Sequence, residues 1–231
     1  MKIKSFSEKG RRLENEDYIL SKAIDKNSSL HIMADGMGGY TNGRIAAKMV
    51  ANTIYDFIHT NHLKFNSSEL IKAAVAIANA KIAKLINIEH QNMGATLGGT
   101  LIIKNKVFAF WVGDVKIMHI HSDDLLFESK DHSLINQMKD NGAISENINL
   151  NHMRHIVTRS IGGADDNFQP DIHSFEFEAN EQIIICSDGI LETSPVHQLV
   201  KQPLQSDEDF ALFQENMTNN RDNSSLILIE R

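Results

Sequence analysis

Three apolar runs in this chain each stop at an aspartate beside a glycine: "LHIMADGMGG", "FAFWVGD" and "IIICSDG". A fourth aspartate, in "RDNSSLILIE", opens an apolar run instead. Short apolar runs bounded by turn residues read as buried strands. A strand ending at Asp-Gly sets a carboxylate at the sheet's edge, with a glycine where the chain turns tightly. Asp35, Asp114, Asp188 and Asp222 therefore look like a basket of anionic oxygens within one domain. Crowded carboxylates repel one another unless protonated or neutralised by a cation. Hard divalent ions such as Mg²⁺ or Mn²⁺ suit an all-oxygen site. The chemistry this favours is metal-assisted hydrolysis.

At 231 residues the chain can bury a substantial core. It contains no Gly/Ser-rich or Pro-rich linker, repeat or low-complexity stretch, so residues 1–231 read as one domain. A formal charge of −7, with basic residues scattered apart from "KGRR" at Lys9 to Arg12, argues against a nucleic-acid binder. Cys186 is the sole cysteine, which excludes an internal disulfide and fits a reducing cytosol. The first residues, "MKIKSFSEKGRR", do not resemble a signal peptide, and "VFAFWV" is far shorter than the ~20 residues that span a bilayer. The expectation is a soluble, cytoplasmic monomer without membrane or nucleic-acid partners.

Strands are expected over "DYIL" and "SSLHIMAD". A helix should follow in "NGRIAAKMVANTIYDFIH", capped by Asn42, with Ile45, Met49, Ile54, Phe57 and Ile58 on one face. A second, in "SSELIKAAVAIANAKIAKLINIEHQ", has Asn66 and Glu69 spaced as a capping box; Ala73, Val75, Ile77 and Ala80 suggest burial on more than one side. "ATLGGTLII", "KVFAFWVGD", "KIMHIHS" and "LLFES" read as a meander of hairpins. Three more β runs, "DIHSFEFEA", "EQIIICSD" and "SSLILIE", come later, with short helices around "SPVHQLVKQ" and "SDEDFALFQENM" between the last two. Antiparallel strands with two long helices inserted early fit a layered α+β sandwich better than a parallel βαβ fold.

Other catalytic patterns are weak. Cys186 lacks the nearby arginine of a cysteine phosphatase, since Glu192 stands about where it would be. No basic residue follows closely to lower the thiol pKa, and the residue reads as a small buried hydrophobe. In a haloacid-dehalogenase reading of "IIICSDGILET", Cys186 would replace the aspartate nucleophile. The eleven histidines form no tight zinc spacing, no GxSxG elbow exists, and "GMGG" and "GGT" are too short for dinucleotide loops.

In order, the acidic segments and the glycine-rich ones between them are "RLENED", "ADGMGGYTNG", "GATLGGT", "WVGDVKI", "DHS", "IVTRSIGG", "CSDGILE" and "RDNSSLILI". This series, from about Arg12 to Ile229, resembles the metal-dependent protein serine/threonine phosphatases (the PPM family, protein phosphatase 2C type) in their compact bacterial form. The resemblance implies a four-layer α-β-β-α sandwich, two antiparallel sheets flanked by helices, with two metal ions, Mg²⁺ or Mn²⁺, at one end. It implies that Asp35 bridges both ions, that the Gly36 carbonyl helps hold one, and that Asp188 and Asp222 complete the other's ligands. Asp17, with Glu16 beside it, would orient metal-bound water. Arg12 would grip the substrate phosphate with its planar fork. Asp114 would serve a third, weaker metal. Residues 131–165, or His132 to Gly163 in its motifs, would form a flap beside the site. The implied substrates are phosphorylated proteins, products of a Ser/Thr kinase.

The chain departs from the family pattern in places. Met37 stands where eukaryotic relatives have a histidine, Tyr40 where bacterial ones often do, and "GDVK", with Val115 and Lys116, replaces the usual "GDSR". The first two leave the proton donor unassigned, the third bears on the geometry around Asp114 and its metal, and the full set of core ligands implies an active enzyme. Two alternatives remain beside protein dephosphorylation: hydrolysis of small phosphoesters, and a catalytically weak phosphoprotein-binding module.

Overall fold

Among the described residues, ten strands form two five-stranded sheets in which every neighbouring pair is antiparallel. The computed structural model describes residues 1–38, 41–90, 92–143, 153, 155–162, 168–201, 204 and 206–231. Tyr40, Gly163 and much of the expected flap lie outside the described residues. The first sheet runs β1 (Lys2–Glu8), β10 (Ser224–Glu230), β9 (Glu181–Cys186), β6 (Lys116–His121), β7 (Asp124–Glu128). The second runs β2 (Tyr18–Asp25), β3 (Ser28–Met37), β4 (Gly94–Ile103), β5 (Lys106–Val112), β8 (Asp171–Glu176).

Three cores separate four layers. Between the sheets, Met33, Val107, Ile117, Ile183, Ile185, Ile227 and Ile229 interdigitate. The outer face of the second sheet, with Leu30, Ile32 and Leu101, packs on α1 (Thr41–Asn61) and α2 (Ser67–Glu89) through Val50, Ile54, Ile71 and Val75. The outer face of the first sheet, with Met118, Ile184 and Leu228, is covered by α4 (Asp188–Thr193), α5 (Val196–Leu199) and α6 (Asp207–Met217). A short α3 (Leu134–Asp140) begins the segment expected as a flap. Strands that are apolar on both faces, such as β3 and β10, follow from this sandwiching. The α-β-β-α expectation therefore holds.

Details differ from the sequence reading. α1 begins at Thr41, so Asn42 lies in the first turn and is not the cap. Its buried face is Ala46, Ala47, Val50, Ala51, Ile54 and Ile58, while Ile45 is exposed: small alanines let the helix sit close to the sheet. α2 is capped by Asn66, which accepts from the Glu69 amide at 2.9 Å, as expected. However, α2 buries one face only; Val75 is buried but Ile77 and Ala80 are exposed. β5 and β6 do not form a hairpin, because the "GDV" turn carries the chain from one sheet to the other. β1 was not anticipated: it is an edge strand that buries only Phe6 and carries Lys2 and Lys4, so its apolar signal is faint.

Candidate active site

The register explains why residues distant in sequence meet. Cys186, at the end of β9, faces both Leu226 near the start of β10 and Lys116 at the start of β6. Asp188, Asp222 and Asp114 each lie two residues beyond those strand ends, so they share one end of the first sheet. In the second sheet Asp35 faces Thr96, Tyr18 faces Ala34, and Leu97 faces Val112. That puts Asp17, Asp35 and the Gly113 turn at one end too. The pairing of Glu8 with Ser224 brings the loop bearing Arg12 beside them. The result is a 580 Å³ cavity lined by Arg12, Glu16, Asp35, Gly36, Asp114, Asp188 and Asp222. Asp17 stands behind its wall, 7% exposed.

Local contacts hold these groups in place. A Cβ on Gly36 would lie 2.2 Å from the Gly43 carbonyl oxygen, so glycine there lets the start of α1 press against the end of β3. Gly113 has φ +100°, and a Cβ would meet the Thr96 side chain at 2.4 Å, so the turn before Asp114 requires glycine. Asn223 clamps the arginine loop: its Oδ1 accepts from the Glu16 amide at 2.9 Å, and its Nδ2 donates to the Lys9 and Glu14 carbonyls at 2.8 and 3.0 Å. The departure at "GDVK" is also accommodated. Lys116 is buried; its Nζ lies 2.9 Å from Glu128 and 2.5 Å from Asp131, and donates to the Ser129 carbonyl at 2.8 Å. Val115 fills the space that the missing side chain of Gly98 leaves.

The carboxylates are under electrostatic pressure. Burial, reinforced by the charges of Asp17, Asp188, Asp114 and Asp222, raises Asp35 well above the ordinary carboxylate range. Burial and the charges of Asp188 and Asp131 lift Asp114 to about 7. Burial raises Asp17, against the hydroxyls of Ser187 and Ser225 that favour its charged form. Asp188 is raised by burial and by Asp222. Arg12 answers part of this charge. Its Nε donates to Asp222 Oδ1 at 2.8 Å and its Nη2 to Oδ2, a bidentate pair that raises its own pKa.

Among the described residues, no three acidic, histidine or cysteine side chains already surround one point as ligands. Arg12 stands against Asp222 instead. The donor set nevertheless suits hard cations, because the acidic groups that line the cavity are all oxygen donors. Buried oxygens at Glu16 Oε1 and Asp17 Oδ2 have no hydrogen-bond partner among the described residues. Unpaired, mutually repelling oxygens in a shared site are what a divalent ion relieves.

The model of the protein phosphatase 2C family matches residues 7–227. The chain belongs to that family. This phosphatase is 30% identical over 184 residues to protein phosphatase PhpP of Streptococcus pneumoniae serotype 2, covering 78% of this chain and 74% of PhpP. It is 25% identical over 236 residues to serine/threonine phosphatase stp of Listeria welshimeri, covering 97% and 94% of the two. The Mycobacterium tuberculosis serine/threonine phosphatase PstP/Ppp shares its fold at a TM-score of 0.84 and 23% identity, covering 100% of this chain and 99% of that one. A PstP catalytic domain solved with two manganese ions has a TM-score of 0.81 and 22% identity, covering 98% and 96%.

The phosphatase's cavity thus gathers Arg12, Asp35, Gly36, Asp114, Asp188 and Asp222, with Asp17 one layer back. Sequence reasoning missed Asn223 as the clamp of the arginine loop. It also missed His155, whose Nδ1 is 3.9 Å from Asp188. "RDN" carried the first signal; an isolated histidine within a polar stretch gave none for the second.

Proposed function

We propose that the acidic cavity is where this protein serine/threonine phosphatase hydrolyses phosphoserine and phosphothreonine. The observation that supports it most is the burial of Asp35, Asp114 and Asp188 around one cavity, with their protons held more tightly than usual. Asp35, the Gly36 carbonyl, Asp188 and Asp222 would hold two Mg²⁺ or Mn²⁺ ions, with Asp17 acting through water and Asp114 serving a third. When bound, such ions supply Lewis acidity that makes an attacking group from solvent at neutral pH and screens the phosphate charge.

The protein's own residues supply the rest. Arg12 is more than half exposed at the rim, with a fork that matches two phosphate oxygens. On substrate binding, its donors exchange Asp222 for the phosphate. Asp17 Oδ2, buried and without a partner among the described residues, would be the acceptor that orients a water for in-line attack. No nucleophilic side chain is required: Cys186 is fully buried and its thiol pKa is raised by that burial. Catalysis is then positioning and charge stabilisation.

We read residues 1–231 as one catalytic domain in which the 131–165 segment is the flap. Its return stretch pairs Val157 with Ser133 and Ile161 with Ala95, and Val157 lines the cavity, which supports a role at the substrate's entrance. The substrates would be the products of a Ser/Thr kinase. No helix among the described residues is long and apolar enough to cross a membrane.

The test is release of phosphate from a phosphothreonine peptide with Mn²⁺, using wild type, Asp35→Asn and Asp188→Asn. We expect turnover in the wild type and a loss of at least about a thousandfold in either variant, with unchanged circular dichroism. A folded but inert wild type, or full activity in both variants, overturns the assignment.

A further inference from the structure

In the "DHS" segment Asp131 pairs with Lys116, and the histidine that follows sits behind the turn that presents Asp114. His132 is 8% exposed and stacks on Trp111, ring centroids 6.3 Å apart at 20°. Its Nδ1 accepts a hydrogen bond from the Gly113 amide at 3.0 Å, and its own amide donates to the Gly113 carbonyl at 2.8 Å. Both polar groups of the glycine before Asp114 are therefore held by one residue. An acceptor at Nδ1 places the neutral ring's proton on Nε2. That nitrogen faces Asp171 Oδ2 at 3.3 Å, and Arg159, whose Nη1 is 3.2 Å from Nε2, donates to Asp171 Oδ1 at 2.8 Å. The Thr158 amide donates to the His132 carbonyl at 2.7 Å, so the returning segment is anchored on the same residue.

We propose that His132 is a positioning residue for the phosphatase reaction: its Nδ1 holds the Gly113 amide and so aims Asp114 into the cavity, while Asp171, itself held by Arg159, fixes the ring's tautomer. The proposal rests on the cavity being the catalytic site. The physical reason is that the Gly113 turn, at φ +100°, has no side chain of its own to steady it. A buried amide left without an acceptor would find another by rotating the peptide, and Asp114 would rotate with it. The Asp171 carboxylate sets the tautomer by accepting a hydrogen bond from the ring's one N–H, at Nε2, which leaves Nδ1 free to accept from the Gly113 amide.

The experiment compares His132→Asn, whose amide oxygen reaches the Nδ1 position, with His132→Gln, whose amide reaches the Nε2 position instead, and with His132→Phe, which keeps only the stack. On a phosphothreonine peptide and on p-nitrophenyl phosphate with Mn²⁺, His132→Gln and His132→Phe should lose at least about tenfold in kcat, with KM within threefold. His132→Asn should stay within threefold of wild type in kcat. A general folding role would not sort the variants this way. Long-range ¹H–¹⁵N spectra of the wild type, without any substitution, should show the Nε2-protonated ring; Asp171→Asn, offering a donor to Nε2, should shift it towards Nδ1. An Nδ1-protonated wild type, or an active wild type in which Asn and Gln variants behave alike, removes this proposal alone. An inert wild type removes the functional reading as well.

Discussion

Asparagine at position 114, in chelator-treated protein, isolates the strain that the crowded carboxylates impose. Burial and neighbouring charges raise Asp114 from 3.8 to about 7 in the folded protein. As pH rises, the unfolded chain releases that proton first. An acid whose folded pKa is raised therefore withdraws stability progressively between about pH 4 and pH 7, and the deficit is complete above that window. The full shift corresponds to about 4 kcal/mol; water reaching the cavity reduces the effective figure to about 2 kcal/mol. In a protein of this size that is about 4–8 °C in Tm. Thermal unfolding followed by circular dichroism should thus give nearly coincident curves for wild type and Asp114→Asn at pH 4. At pH 8 the variant should melt about 4–8 °C higher. Millimolar Mn²⁺ should raise the wild type at pH 8 and narrow the gap, because a ligand of the folded state stabilises it in proportion to its occupancy. Coincident melting at pH 8 in chelator, or a variant less stable there than wild type, would refute the account of mutual repulsion.

Arg12→Ala should raise the KM for a phosphothreonine peptide at least about tenfold while changing kcat less, because the fork contributes to phosphate binding; steady-state kinetics with Mn²⁺ that leave KM unchanged would remove it from that role. Lys116→Met should lower Tm by about 6–12 °C, since Asp131 then loses its buried ion-pair partner, a loss worth about 3 kcal/mol, whereas Lys116→Arg should be tolerated. Melting curves for the two variants that coincide would argue that the buried pair is dispensable.

The site was more legible than the packing around it. Strand ends marked by Asp-Gly are a local signal, and antiparallel pairing made them converge without any knowledge of register. What hid were contacts whose value exists only in three dimensions. Asn223 reads as one polar residue after Asp222, and only the folded loop shows it bonded to Lys9, Glu14 and Glu16. β5 and β6 look like two arms of a hairpin because "GD" is turn chemistry; nothing local says that the turn changes sheets. Four of the five large residues expected on the α1 face pack on the core, Ile54 and Ile58 fully and Met49 and Phe57 in part; close approach to β3 adds Ala46, Ala47 and Ala51 and leaves Ile45 outside. Lys116 looked like a defect in "GDVK" until Glu128 and Asp131 were seen beside it.

The pairing of the first strand with the last has its own corollary. Lys2 lies opposite Glu230, at the far pole from the Glu8–Ser224 pair, beyond which Arg12 and Asp222 reach the cavity. Any tether or appended module joined at either extremity would leave from the rear of the sandwich, with the reactive mouth pointing outward. Splicing the two extremities by a short peptide and reopening the chain at the Lys104–Asn105 turn would likewise leave the acidic end untouched.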